Sequence, residues 1–265
     1  MSLFRKGLVK LAGNHFIQNL LEKAFADMQY QMGIGSGDTV SCSGEEVAFS
    51  ILKRRFQPPF CIFDVGANQG QFLKLILSQM TGKDFSVHCF EPSKETFGLL
   101  EKSIQADRRI KLNNLGIGKE KGSVLLHFDK AGSGLASLTK RRLDHLGIHF
   151  HETETVTIDT IDNYCAENAI RHIHLLKLDI EGHELDALAG ARNMLEKKSI
   201  DMVAFEFGGC NIDTRTYFQD FWYYFVGFNM NIFRITPSGY LFPIASYKEI
   251  YEQFRTTNYI AIKKT

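Results

Sequence analysis

The residues with the clearest chemical capacity are Asp64-Val65-Gly66-Ala67-Asn68-Gln69-Gly70, standing where a short apolar run gives way to a helical pattern. Glycine lets the backbone come close to a ligand, and Gly66 opens a turn at which a side chain would collide. The spacing is not the GxGxxG of dinucleotide sites, because an acidic residue precedes the first glycine and Asn68 stands where a second is expected. Asn enters the left-handed region more readily than most residues, so the turn survives the replacement. Asp64, Gly66, Asn68 and Gly70 therefore read as a loop for S-adenosylmethionine. A carboxylate there can hold the ammonium of that cofactor, which has no pyrophosphate to require three close glycines. Glu91, inside Phe90-Glu91-Pro92, ends the next apolar run and can accept the ribose hydroxyls. Asn114 is a candidate for the adenine edge, or an ordinary turn asparagine.

A second dense segment, Leu176-Lys177-Leu178-Asp179-Ile180-Glu181-Gly182-His183-Glu184-Leu185, crowds ionisable groups where a buried strand meets a helix. In open α/β sheets that edge binds ligands. The motifs DVGANQG, FEP, LLKLDIEGHELDALAGA and FEF together resemble the FkbM-type methyltransferases over residues 60–210, with KLDIEGHE the most specific part. Ser43-Gly44-Glu45-Glu46 is also similar to a segment of some members. The resemblance implies a class I methyltransferase fold that uses S-adenosylmethionine, acting on a hydroxyl of a sugar, glycan or related natural-product precursor. Such a transfer requires the acceptor oxygen to be held about 3–3.5 Å from the methyl carbon and to lose its proton. His183, at a helix start whose dipole favours the neutral imidazole, is the candidate base, with Asp179 and Glu181 lining the reacting edge. Asp179 and Glu181 point to opposite faces if the strand continues, and a turn at Glu181 lets both reach the pocket. Asp179, Glu181 and Glu206 also offer hard oxygen ligands for Mg²⁺, or form a metal-free polar cluster with Lys177, which is the favoured reading. His145, His149 and His151 are too loosely spaced for a zinc site.

Strand and helix patterns alternate from Phe60 onward, which predicts a doubly wound, mostly parallel seven-stranded sheet of the Rossmann-like α/β class. Tyr240–Ile244, following Pro237-Ser238-Gly239, suggests an antiparallel edge hairpin. His183–Lys197 and Asp213–Val226 each read as one helix, and the aromatic run 221–225 as core or interface. The insertion between Asp129 and Thr155 carries a small-residue stretch, 132–138, expected to act as a flexible lid, with Arg141 and Arg142 on a solvated face or against an anionic acceptor. Residues 1–57 read as a helical N-terminal extension and 58–265 as the cofactor-binding domain. In the extension, 3–28 has an amphipathic period broken at Gly13-Asn14, read as packing on the domain or a second copy of the chain rather than on a membrane surface. Ser43 with Glu46 predicts a capping box for a helix running to Arg55.

Composition excludes whole classes. With 265 residues, 44% of them hydrophobic, and 31 basic against 30 acidic residues, the chain is neither disordered nor a disulfide-stapled mini-protein. The even balance offers no field for nucleic acid or a polyanionic acceptor and leaves a neutral hydroxylated substrate as the simpler expectation. Five scattered cysteines, the lack of a signal peptide and the lack of a run long enough to span a bilayer point to the cytoplasm. Two alternatives remain at this level. One is a non-catalytic cofactor-binding partner subunit, and the other a nicotinamide-dependent sugar oxidoreductase, which the missing GxGxxG disfavours.

Overall fold

The computed structural model describes residues 9, 12–37 and 43–264. Helix α1 (His15–Gln31) precedes α2 (Val47–Arg55), after which strands and helices alternate. They are β1 (Phe60–Val65), α3 (Gln71–Gln79), β2 (Phe85–Phe90), α4 (Lys94–Ser103) and β3 (Ile110–Asn113). Then come β4 (Gly116–Ile117), β5 (Gly122–Phe128), β6 (Glu152–Asp159), α5 (Ile161–Glu167), β7 (Ile173–Leu178), α6 (Glu184–Ala189), α7 (Arg192–Glu196) and β8 (Ile200–Phe207). The chain finishes with α8 (Cys210–Thr214), α9 (Phe218–Gly227), β9 (Met230–Ile235), β10 (Leu241–Pro243) and β11 (Thr257–Lys263).

The main sheet has eight strands in the order β10-β9-β11-β8-β7-β1-β2-β3, with β1, β2, β3, β7 and β8 parallel to one another and β11 antiparallel between β8 and β9. The eighth strand, beyond the seven expected, is the short β10, which pairs antiparallel with β9 as the expected edge hairpin. β1 lies between β2 and β7, so the Asp64–Gly70 turn and the Asp179–His183 turn leave adjacent strands at the same edge. Side chains alternate across the sheet. Phe63, Leu176 and Phe205 enter the core on one face, and Ile62, Leu175 and Met202 enter the core on the other. On the first face Phe221 of α9 stacks on Phe205 and Phe225 packs tilted against it, with ring centroids 4.9 and 5.1 Å apart, so these two residues of the aromatic run are core, while Tyr223 is exposed.

Three expectations change. β5 leaves the main sheet for a separate three-stranded sheet, β4-β6-β5, whose central strand β6 begins inside the region read as an insertion and runs past its expected end. The long helix over 183–197 is two, because Gly190 packs where a Cβ would stand 2.1 Å from the carbonyl oxygen of Gly118 and the chain turns to make that contact. The helix over 213–226 also breaks, at Arg215, which takes a left-handed φ of 57°.

Packing also divides the N-terminal section unevenly. Phe49, Ile51 and Leu52 of α2 are core residues on the face that holds Ile62, so α2 belongs to the sheet's covering layer. It begins at Val47 with Glu46 as its N-cap, later than a Ser43 cap would start it, and the Ser43 hydroxyl instead donates to the Glu45 carboxylate (2.7 Å). α1 is N-capped by Asn14, whose side chain accepts from the Ile17 N–H, and Gln29 is its buried residue. The part of the amphipathic period that falls on 3–8 and 10–11 lies outside the described residues.

The Gly190 contact yields a stability prediction. Gly190→Ala forces backbone against backbone with no flexible side chain to yield, so a loss of about 1–3 kcal/mol is expected by urea or thermal unfolding. Wild-type stability in this variant would show that the Gly190–Gly118 contact can open freely.

Candidate cofactor and acceptor site

The end of β1 is shaped by close backbone contacts. The N–H groups of Gly66 and Ala67 both donate to the Phe90 carbonyl at 3.0 Å, and a Cβ on Gly66 would lie 1.8 Å from the carbonyl oxygen of Asp179. Only glycine fits there, at φ 84°. Asn68 takes the left-handed φ of 46° expected of it, and Gly70 follows at 87° as the N-cap of α3. This turn aims the Asn68 N–H at Glu91 Oε2 (3.0 Å), while Glu91 Oε1 accepts from the Ser93 N–H (3.0 Å). The Glu91 carboxylate is thus fixed and nearly buried, and burial pushes it up to about 7 against those two hydrogen bonds. Asn114 stands behind it. Its side-chain amide donates to the carbonyls of Glu91 and Pro92 (2.9 and 3.0 Å), so in this structure those donors brace the loop.

Asp64 is fully buried, and neither of its carboxylate oxygens has a hydrogen-bond partner. Lys177 is near it, with Nζ 3.9 Å from Oδ1. The same ammonium donates to Asp179 Oδ2 (2.9 Å) and lies 4.9 Å from the centre of the Phe72 ring. Burial raises Asp64 to about 6, with Lys177 opposing. Burial alone would lower Lys177, but Asp179, Asp64 and Glu45 outweigh it and hold the ammonium charged. Glu45, buried and raised by desolvation, comes from the loop before α2 and was not legible as a site residue.

β7 ends at Leu178, and the chain turns through Glu181 (φ 53°) and Gly182 (φ 99°). That turn brings both Asp179 and Glu181 to the ligand edge, the second of the two geometries open to them. Glu184 builds it. This buried side chain accepts from the N–H groups of Ile180 (3.0 Å) and Gly182 (3.2 Å) through Oε1, and burial raises it to about 7. Arg141, from the insertion, pairs with Glu181 and lies 3.6 Å from Asp213. Burial and the neighbouring carboxylates push Glu181 and Glu206 above the usual range.

His183 is held at both nitrogens, Nδ1 to Asp186 Oδ2 (2.8 Å) and Nε2 to the Thr139 hydroxyl (3.0 Å). The helix it begins has six residues, so the carboxylate rather than the helix dipole fixes the ring. Asp186 is lowered chiefly by that hydrogen bond. Sequence reasoning missed both partners, although an acidic residue three positions after a helix-start His is a readable cue.

Two cavities adjoin here. The first is lined by Glu91 and by Phe90, Ile117, Leu126, Leu138 and Ile158, several of them from the small sheet and its loop. The second is an open cleft of about 1450 Å³ that reaches Glu45, Lys177, Arg141, Glu206 and Asn258. Gly66, Asn68, Gly134, Asp179 and Glu181 line both. The 132–138 stretch forms their shared wall and is pinned. The Ser137 hydroxyl donates to the Glu181 carbonyl (2.9 Å), Ser137 and His127 exchange backbone hydrogen bonds (2.8 and 3.0 Å), and Gln69 donates to the Gly132 carbonyl (3.2 Å). It is a built wall more than the free lid expected.

The metal readings fare differently. Asp179 and Glu181 are already paired with Lys177 and Arg141. His149 pairs with Asp144 (2.9 Å), and His145 lines the cleft. Among the described residues, the group of metal-ligating atoms within 4.8 Å of one another is His172, His174 and Asp201, at the opposite end of β7 and β8. Those atoms are engaged as well. Asp201 accepts from Lys263 (2.6 Å) and contacts His172 (2.7 Å), and His174 Nδ1 accepts the Cys61 N–H (3.0 Å), which leaves its proton on Nε2.

The methyltransferase FkbM domain profile matches residues 64–232. The 2-O-methyltransferase NoeI of Sinorhizobium fredii is 25% identical over 151 residues, 53% of this chain and 61% of that protein. The hexuronic acid methyltransferase AglP of Haloferax volcanii is 25% identical over 169 residues, 62% of this chain and 64% of that protein. The chain thus spans under two thirds of the length of either relative. A crystal structure of a methyltransferase FkbM from Methylobacillus flagellatus aligns with TM-score 0.48 and 20% identity over 80% of this chain and 47% of that one. No described helix is long and apolar enough to cross a membrane.

The buried carboxylates set a pH dependence. Asp64 rises from an ordinary 3.8 to about 6, so the folded protein binds its proton more tightly than the unfolded chain does. Its charge therefore weakens the fold above pH 6, and the penalty fades as pH falls through 6 towards 4. Without cofactor, Asp64→Asn is expected to be more stable than wild type at pH 8, with the gap closing by pH 4. Urea titrations at several pH values check this, and equal stability at pH 8 would mean that Asp64 is not penalised by burial.

Proposed function

Because the chain belongs to the FkbM methyltransferase family, we propose that it moves a methyl group from S-adenosylmethionine to a hydroxyl of a sugar, glycan or related precursor. The observation that carries this reading is the wall shared by an apolar-lined cavity containing Glu91 and a larger cleft, with Asp179 and Glu181 facing both. The cavity's residues suit the cofactor. Glu91 is fixed to accept two vicinal hydroxyls, Phe90, Ile117, Leu126 and Ile158 provide an apolar slot for a base, and Gly66 with Asn68 brings backbone close. Carboxylates outnumber cations around the site, and Asp64, whose oxygens accept no hydrogen bond, adds to that excess, which matches a ligand carrying an ammonium and a sulfonium. When bound, the cofactor supplies an electrophilic methyl on a good leaving group.

The chain's own residues then do the positioning and the proton transfer. Lys177 and Arg141 keep Asp179 and Glu181 in place at the junction. Asp186 holds a proton on His183 Nδ1, which leaves the Nε2 lone pair facing a hydroxyl, here that of Thr139. An acceptor hydroxyl that takes the place of Thr139 would give its proton to Nε2, the arrangement of a base oriented by a carboxylate. The cleft has room for a sugar, the 2-O-methyltransferase among the relatives supports an oxygen acceptor, and the hexuronic acid methyltransferase supports a carbohydrate one.

Glu91→Ala is expected to weaken binding of S-adenosylhomocysteine by about 10- to 100-fold, because charged hydrogen bonds are lost. His183→Ala should lower turnover by about 100- to 10,000-fold with a sugar acceptor and change that affinity far less, because His183 lines the cofactor cavity but offers it no charged hydrogen bond. Calorimetry and a methyl-transfer assay on a panel of sugars test both. Equal affinity in Glu91→Ala removes Glu91 from the cofactor site, and unchanged turnover in His183→Ala removes the base. Tight cofactor binding with no transfer to any hydroxylated acceptor would favour a binding subunit.

A further inference from the structure

Helix α1 projects from the body. Gln29 is its buried residue, donating to Gln253 Oε1 and accepting from Arg255, each at 2.7 Å. N-terminal to that anchor the helix presents a row of exposed side chains at every fourth position, Phe16, Leu20, Ala24 and Met28, continuing to Met32 beyond its end. Phe16 is 75% exposed, Leu20 55% and Met28 57%. A helix of 17 residues is marginal in water without packing, and an apolar row of this kind marks an interaction surface.

The row is symmetric in character about Ala24, with large apolar side chains on either side of a small one. Leu20 and Met28 flank Ala24, and Phe16 and Met32 close the two ends. A two-fold axis through Ala24 lays row on row with helices antiparallel, each Leu20 beside Met28 of the second copy, and the small Ala24 side chains at the crossing let the helices approach closely. The flanks match as well. Lys23 and Asp27, both exposed, lie on one side of the row, and Leu21 and Phe25 on the other. An antiparallel two-fold brings like flanks together, so Lys23 meets Asp27 of the second copy and the apolar flank meets its own counterpart. With one lysine against Glu22 and Asp27, the helix offers no basic face to an anionic lipid surface. We infer that α1 is a self-complementary contact through which two copies of this chain pair as an antiparallel two-fold dimer.

Two such helices, each about 25 Å long, bury less than the ~1,200 Å² of a standard stable interface, so the dimer should dissociate on dilution. Sedimentation velocity of the full chain over a concentration series is expected to show a reversible monomer–dimer equilibrium. Leu20→Glu should raise the dimer Kd at least about tenfold, with the far-UV circular dichroism unchanged. Ala24→Cys, placed on the axis, should form a dimer-spanning disulfide under mild oxidation that wild type does not form. Glu22→Cys, on the far side of the helix, should not. A chain that stays monomeric at every concentration overturns the proposal. So does a dimer that ignores Leu20→Glu and crosslinks no better through position 24 than through position 22. Binding of monomeric wild type, but not Leu20→Glu, to phosphatidylserine vesicles would overturn it in favour of a lipid surface.

Discussion

A single buried ammonium lets the ligand edge exist in its observed form. Lys177 sits on the central strand β7 within reach of Asp64 and Asp179 and in the field of Glu45, where burial penalises the charges of Lys177, Asp64 and Glu45. Carboxylates packed this closely would repel one another or take up protons, and the cation between them keeps the cluster from doing so completely. Lys177 also ties distant parts of the chain to one point. Asp64 comes from β1, Asp179 from the turn after β7, and Glu45 from the loop that leads into α2. The N-terminal section is therefore connected to the chemistry of the site as well as to the core.

Around this point the two sheets share the work. The parallel strands supply rigid ends whose backbones touch, as Gly66 and Asp179 do, and so fix where the carboxylates stand. The small sheet and the wall 132–138 contribute apolar surface to one cavity and separate it from the larger neighbouring cleft. Arg141 joins the two arrangements by reaching from the insertion to Glu181 and Asp213. Glu184 makes the turn itself. A buried carboxylate takes the backbone donors that the left-handed Glu181-Gly182 step leaves without carbonyl partners.

Much of this was readable from the residues. The glycine turn, the left-handed Asn68, the strand-end Glu91 and the crowded edge after β7 follow from rules about which side chains a tight turn or a sheet edge accepts. Other features were hidden for physical reasons. The split at Gly190 answers to a contact with Gly118, some seventy positions away in the chain, and no local pattern records it. β6 was obscured because its Thr and Glu side chains are half exposed on a small sheet, although the alternation in Glu152-Thr153-Glu154-Thr155-Val156-Thr157 is a strand signal. Glu45 was passed over beside the Ser43 and Glu46 read as a capping box, since its role depends on Lys177 more than a hundred residues later. Asn114 was placed by position alone, whereas the fold directs its amide to the Glu91-Pro92 backbone.

The ends of the main sheet carry a consequence of another kind. β3, at one edge, has four residues, and β10, at the other, has three and finishes at Pro243, which has no N–H to offer. A sheet of eight strands with long, flat margins would invite further strands from neighbouring molecules, the route by which β-rich chains aggregate. Short margins, one of them ending in proline, limit that route. The fold can thus keep a wide, strongly apolar sheet at its centre without offering a template for uncontrolled growth.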